Sequence, residues 1–65
     1  MIVVDLIKEY MYQNDMSIED MMDATGLSYK IINSIVTNDV APTPKDANII
    51  FKVFGTTLEE ILKLY

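Results

Sequence analysis

Few groups in this 65-residue chain could make or break a covalent bond. Cysteine and histidine are both missing, which excludes disulfides, thiol nucleophiles, zinc sites and imidazole acid-base catalysis together. Its ten carboxylates include no spaced pair joined to a nucleophile, a glycine-rich phosphate loop or a metal-ligand set, so neither an enzyme nor a cofactor is expected. Glu19, Asp20 and Asp23 fall in one turn and could suggest a metal site, but acids near a helix start are more simply explained by the helix macrodipole. What remains are polar side chains that can hydrogen-bond or pair charge. Tyr29, Lys30, Asn33, Ser34 and Thr37 bring a phenol, an ammonium, a carboxamide and two hydroxyls into nine residues. Asparagine can pair with adenine, lysine can approach guanine acceptors, and tyrosine and threonine can contact thymine methyls or phosphates. Charge opposes this chemistry: five lysines, no arginine and ten acids give a formal net charge of −5, where a nucleic-acid-binding surface is usually basic.

The elements that must position these groups are short helices. Ser17 followed by Asp20 is a capping box, so a helix is expected over about 18–25, with Met21 and Met22 inward and Glu19, Asp20 and Asp23 outward. Gly26 ends it, because glycine takes the left-handed conformation without a Cβ penalty, and Leu27 turns into the core. Ser28 caps a second helix over about 29–37, which carries Ile32, Ile35 and Val36 at helical spacing. Two short helices, a turn of a few residues and one shared apolar seam make a helix-turn-helix over about 17–38. Before it, a helix over about 4–14 is expected to bury Val3, Leu6, Ile7, Tyr10 and Met11, with Met11 and Tyr12 as the alternative contact surface. After it, Asn38 is expected to end the second helix of the motif, and a turn-rich connection leads to Thr43-Pro44-Lys45-Asp46, which combines an N-cap, a first-turn proline and an acid three residues on. The helix started there runs to about residue 54 with Ala47, Ile50, Phe51 and Phe54 inward, while Ile49 and Val53 are either core margin or a dimer contact. Gly55 ends it. Thr57 and Glu60 then suggest a capping box for a last helix with Leu58, Ile61, Leu62 and Tyr65 on one stripe, Tyr65 being available to a partner.

This register resembles the lambda-repressor-like helix-turn-helix family, also called Cro-type or XRE-type. Ser17, Met21, Gly26, Leu27, Ser28, Ile32 and Ile35 match its core pattern, followed by Asn38, Pro42, Gly55, Leu58, Glu59, Glu60, Ile61 and Leu62. The resemblance implies an all-α, compact five-helix domain occupying 1–65, from a bacterium or a phage. It also implies that the helix over 29–37 is a recognition helix whose Tyr29, Lys30, Asn33, Ser34 and Thr37 face the major groove, with Lys45 near a phosphate. The chain departs from the family at Met11, where a basic residue is usual, at Ile18, usually glutamine, at Met22, usually alanine, and at Val36, often an acid.

Size and composition set further bounds. One domain of this length buries about 60% of the surface that its unfolded chain exposes, and a 51% hydrophobic composition leaves apolar residues for a partner surface. The opening Ile2-Val3-Val4 run is followed at once by charges, so it is no signal peptide, and no stretch is long enough to cross a bilayer; a cytoplasmic location follows as the expectation. No linker, repeat or effector segment is expected beyond the helices, and no small-molecule ligand. Two functions then compete. The first is a transcriptional regulator that binds operator DNA as a homodimer through 29–37. The second is a phage-type antirepressor or modulator, because residues 17–40 hold one lysine against four acids, a charge that complements the basic reading face of a repressor protein. There Ile18, Tyr29, Ile31 and Val36 would be apolar anchors, and Glu19, Asp20 and Asp23 a polar rim.

Overall fold

A computed structural model describes residues 2–64. Five helices follow one another: α1 (Ile2–Gln13), α2 (Ile18–Thr25), α3 (Tyr29–Asn38), α4 (Pro44–Val53) and α5 (Leu58–Leu64). They close on one apolar core built from Val4, Ile7, Met11, Met21, Ile32, Ile35, Ala47, Ile50, Phe51 and Ile61. The core holds no buried polar or charged residue among those described, so each of its large side chains contributes about 1.5–3 kcal/mol on burial without an offsetting desolvated group.

α1 begins two residues earlier than the apolar spacing suggests, and its buried stripe is Val4, Ile7 and Met11. The expected stripe put Val3 at its head. Val3, Leu6 and Tyr10 instead flank the stripe and pack half-buried against the core, because α1 lies against both α3 and α4 and so buries a broad face. Tyr10 stacks on Phe54 with ring centroids 4.9 Å apart and meets Phe51 edge-on at 6.3 Å. The Met11 side of this helix is core, while Tyr12 is 84% exposed.

The caps of the helix-turn-helix form as expected. The Ser17 hydroxyl accepts from the Asp20 amide at 3.1 Å and the Asp20 carboxylate accepts from the Ser17 amide at 2.9 Å. Gly26 closes α2 at φ 75°, where an L side chain is strained. Thr25 shapes the turn by donating its hydroxyl to the Met21 carbonyl at 2.6 Å and accepting from the Leu27 amide at 3.1 Å. Ser28 then accepts from the Ile31 amide at 3.3 Å, and α3 starts. Its end differs from the expectation: Asn38 stays helical and Asp39 takes the left-handed position at φ 56°. Both residue types tolerate that conformation, and Asp39 is the one that gains a long-range partner, an ion pair with Lys8 of α1.

α4 starts at Pro44 with the Thr43 hydroxyl accepting from the Asp46 amide at 3.2 Å, and buries Ala47, Ile50 and Phe51. Phe54, expected inside this helix, is its half-buried C-cap. α5 corrects two expectations. Thr57 accepts from the Glu60 amide at 3.1 Å, but the Glu60 carboxylate accepts from the Thr56 hydroxyl at 3.3 Å, so the reciprocal half of a Thr57 capping box is absent. Leu62, expected inward, is 58% exposed while Ile61 is buried. The cause is that α5 packs chiefly on α4 and has a narrow inner face, with Leu58 and Ile61 on it. Tyr65 lies outside the described residues. Asn48 ties the two helices by accepting from the Leu58 amide at 2.8 Å.

Candidate nucleic-acid interface

Burial of Ile32 and Ile35 turns the opposite face of α3 outward. Tyr29 is 54% exposed at its start; Lys30 and Thr37 are exposed, and Asn33 and Ser34 are half-buried between them. The structure thus sets the five expected side chains along one helix. The Thr37 hydroxyl donates to the Asn33 carboxamide oxygen at 2.9 Å, one turn apart. That contact fixes the Asn33 side chain with its nitrogen free to donate. The carbonyl oxygen keeps a second lone pair, so a two-point contact to adenine retains its acceptor.

The cations divide into two sets. Lys8 is held by Asp39 and Lys63 lies 3.8 Å from Glu59. Lys30, Lys45 and Lys52 form no ion pair among the described residues and are exposed, Lys45 in the first turn of α4 and Lys52 in its last. Lys30 and Lys45 are the two expected to meet DNA. Asp39 is held below the usual carboxylate range by the hydrogen bond from Lys8 and by its charge. This contact matters because a carboxylate at the C-terminal end of α3 opposes the helix dipole, and Lys8 offsets it.

The acidic and apolar alternative face is distributed differently. Glu19, Asp20 and Asp23 are exposed on α2, with the Asp20 carboxylate committed to the Ser17 cap. Ile18, Ile31 and Val36 pack half-buried against the core, which leaves Tyr29 as the exposed apolar group of the expected patch. One feature is not visible from spacing. The connection after α3 folds back beside it, and Val40, Ala41 and Pro42 form one wall of a cleft of about 490 Å³ whose other wall includes Lys30, Ile31 and Ser34. The run Val40-Ala41-Pro42, apolar residues inside a turn, was the available signal.

Five short helices with a capped, tightly turned α2–α3 pair and an outward polar row on α3 define a helix-turn-helix protein. Residues 7–65 match the Cro/C1-type helix-turn-helix DNA-binding domain, and the chain belongs to that family. The match makes it a DNA-binding transcription regulator, in a family typically without enzymatic activity. No curated protein and no solved structure matches the chain. Among the described residues no helix is long and apolar enough to cross a membrane.

Proposed function

We propose that the protein binds operator DNA as a homodimer, with α3 in the major groove of each half-site. The observation that carries this reading is the pre-oriented Asn33–Thr37 pair beside Lys30, which has no ion pair among the described residues, on the outward face of α3. Asn33 and Lys30 read base edges, Tyr29, Ser34 and Thr37 contact thymine methyls or phosphates, and Lys45 neutralises a phosphate. Two lysines per copy are too few for tight binding by one copy, and pairing two copies doubles them and adds effective concentration. Ile49 and Val53, half-buried and outside the core cluster, and exposed Leu62 supply apolar surface for the pairing. Selection of bound duplexes from a random pool tests this: enrichment of two related half-sites about 10 base pairs apart is expected. Asn33→Ala then costs about 1–3 kcal/mol at one position of each half-site. Failure to enrich any sequence contradicts the reading.

A second reading is favoured by the exposed acids of α2 in a chain of net charge −5: the same face binds the basic DNA-reading surface of a repressor protein and blocks its operator. Because Ile18, Ile31 and Val36 pack partly on the core, replacing them tests folding as much as binding. Tyr29→Ala is the cleaner variant. It weakens partner binding under this reading with the helical circular dichroism unchanged, and a Tyr29→Ala protein that binds the repressor undiminished contradicts it.

A further inference from the structure

The cleft beside α3 has the size and lining of a small-ligand site, which usually offers 300–1,000 Å³ of mainly apolar wall with a few fixed polar groups. Its volume is about 490 Å³, and Ile31, Ile35, Val40 and Pro42 supply apolar wall. Ile35 is 2% exposed and lies at the bottom, whereas Val40 is 52% exposed and forms the lip. Two charged side chains also line it, Lys30 from α3 and Asp46 from α4. They do not pair with each other, and neither has an ion-pair partner among the described residues. A cleft with an apolar floor, a free ammonium and a free carboxylate is complementary to a molecule that carries the opposite arrangement.

We infer that this cleft binds a small zwitterion with an apolar body, in the class of the aliphatic and aromatic α-amino acids. The ligand's carboxylate meets Lys30, its ammonium meets Asp46, and its side chain enters over Ile31 and Ile35. Such a ligand reverses the expectation that the domain takes no small molecule. It also regulates the DNA-binding reading, on which this consequence rests: Lys30 and Ser34 belong both to the cleft wall and to the outward row of α3, so ligand and operator compete for them.

Titration with L-leucine and L-phenylalanine, followed by methyl and amide NMR of the intact chain, tests the site without DNA. Saturable shifts at Ile31, Ile35, Val40 and Ala41 are expected for at least one of the two. The carboxylate-only and amine-only analogues, isovalerate and isoamylamine for leucine, hydrocinnamate and phenethylamine for phenylalanine, should bind more weakly. Lys30→Gln and Asp46→Asn each reduce amino-acid affinity about two- to five-fold, the worth of one exposed charge contact. Val40→Asp at the exposed lip abolishes binding and keeps the helical spectrum. Absence of saturable shifts with both amino acids, or equal binding of the single-charge analogues, overturns the proposal. Shifts of the same methyls on diluting the protein alone also overturn it, by showing that a second copy fills the cleft. Competition is read separately as a rise in apparent DNA Kd with ligand. Saturable ligand binding in a protein that binds no DNA leaves the site standing and removes only the operator reading.

Discussion

The α2–α3 pair and α5 are both short, both capped locally and both near a glycine in the left-handed conformation, yet they are held very differently. α2 and α3 are bounded by a complete capping box, Gly26 and the Ser28 cap, and they bury Met21, Ile32 and Ile35. α5 has half a capping box, one buried side chain among those described, Ile61, and the Asn48 hydrogen bond to its first turn. Local caps set where a helix starts in both regions. Core burial decides how firmly it stays, and the proposed reading face of α3 would need the firmer kind, because side chains that meet bases must be held in a fixed geometry.

The contrast can be broken in measurable steps. Ile32→Ala, at the centre of the α3 seam, should cost about 2–5 kcal/mol in urea unfolding and unfold the whole domain cooperatively. Ile61→Ala should fall at the lower end of that range, and hydrogen exchange should show the loss concentrated in α5; an equal loss of protection across α3 would show that the two regions are one cooperative unit. Ser17→Ala removes one half of the capping box and should lower stability by about 1 kcal/mol, read from the urea midpoint at unchanged slope. Leu62→Ser should leave monomer stability within about 0.5 kcal/mol, because the side chain is already in water. If Leu62 lies in the dimer contact, the same substitution raises the dimer dissociation constant in sedimentation equilibrium.

The smallest effect concerns pH. Asp39 has its folded-state pKa lowered by Lys8, so its contribution to stability is present above the ordinary aspartate value of about 4 and is lost as pH falls through the folded value. Thermal unfolding between pH 7 and pH 3 should therefore fall slightly further for the natural chain than for Lys8→Gln. Identical pH dependence in the two proteins would show that the pair adds nothing measurable.

The helix-turn-helix was legible in the sequence because its signals are local. Ser17 with Asp20, Gly26, Ser28 and Thr43-Pro44 each act within four residues, and α2 to α5 each start where such signals put them. The misplacements arise where tertiary contacts decide. The start of α1 has no capping residue, and the adjacent Ile2, Val3 and Val4 leave the phase of its stripe open, so the packing of α1 on α3 and α4 chose Val4. Asn38 and Asp39 are both able to end α3, and a lysine 31 residues away selected Asp39. Leu62 and Ile61 are neighbours on a helix with a narrow inner face, which admits one of them. The outward row on α3 was readable from register, but the Asn33–Thr37 contact and the cleft under Val40 depend on side-chain placement and on how the connection folds back.

If the outward face of α3 meets DNA, the charge of Lys30 is felt in the salt dependence of binding. Fluorescence anisotropy of a labelled mixed-sequence duplex, titrated with the natural chain and with Lys30→Gln at several salt concentrations, measures this. On a duplex without the operator, where Lys30 and Lys45 of each copy of a dimer both meet phosphates, log affinity should fall with log salt at a slope of about −3.6, and Lys30→Gln should make it shallower by about 1.8. No binding of the natural chain at low salt, or an unchanged slope in Lys30→Gln, would show that this face of α3 does not meet DNA.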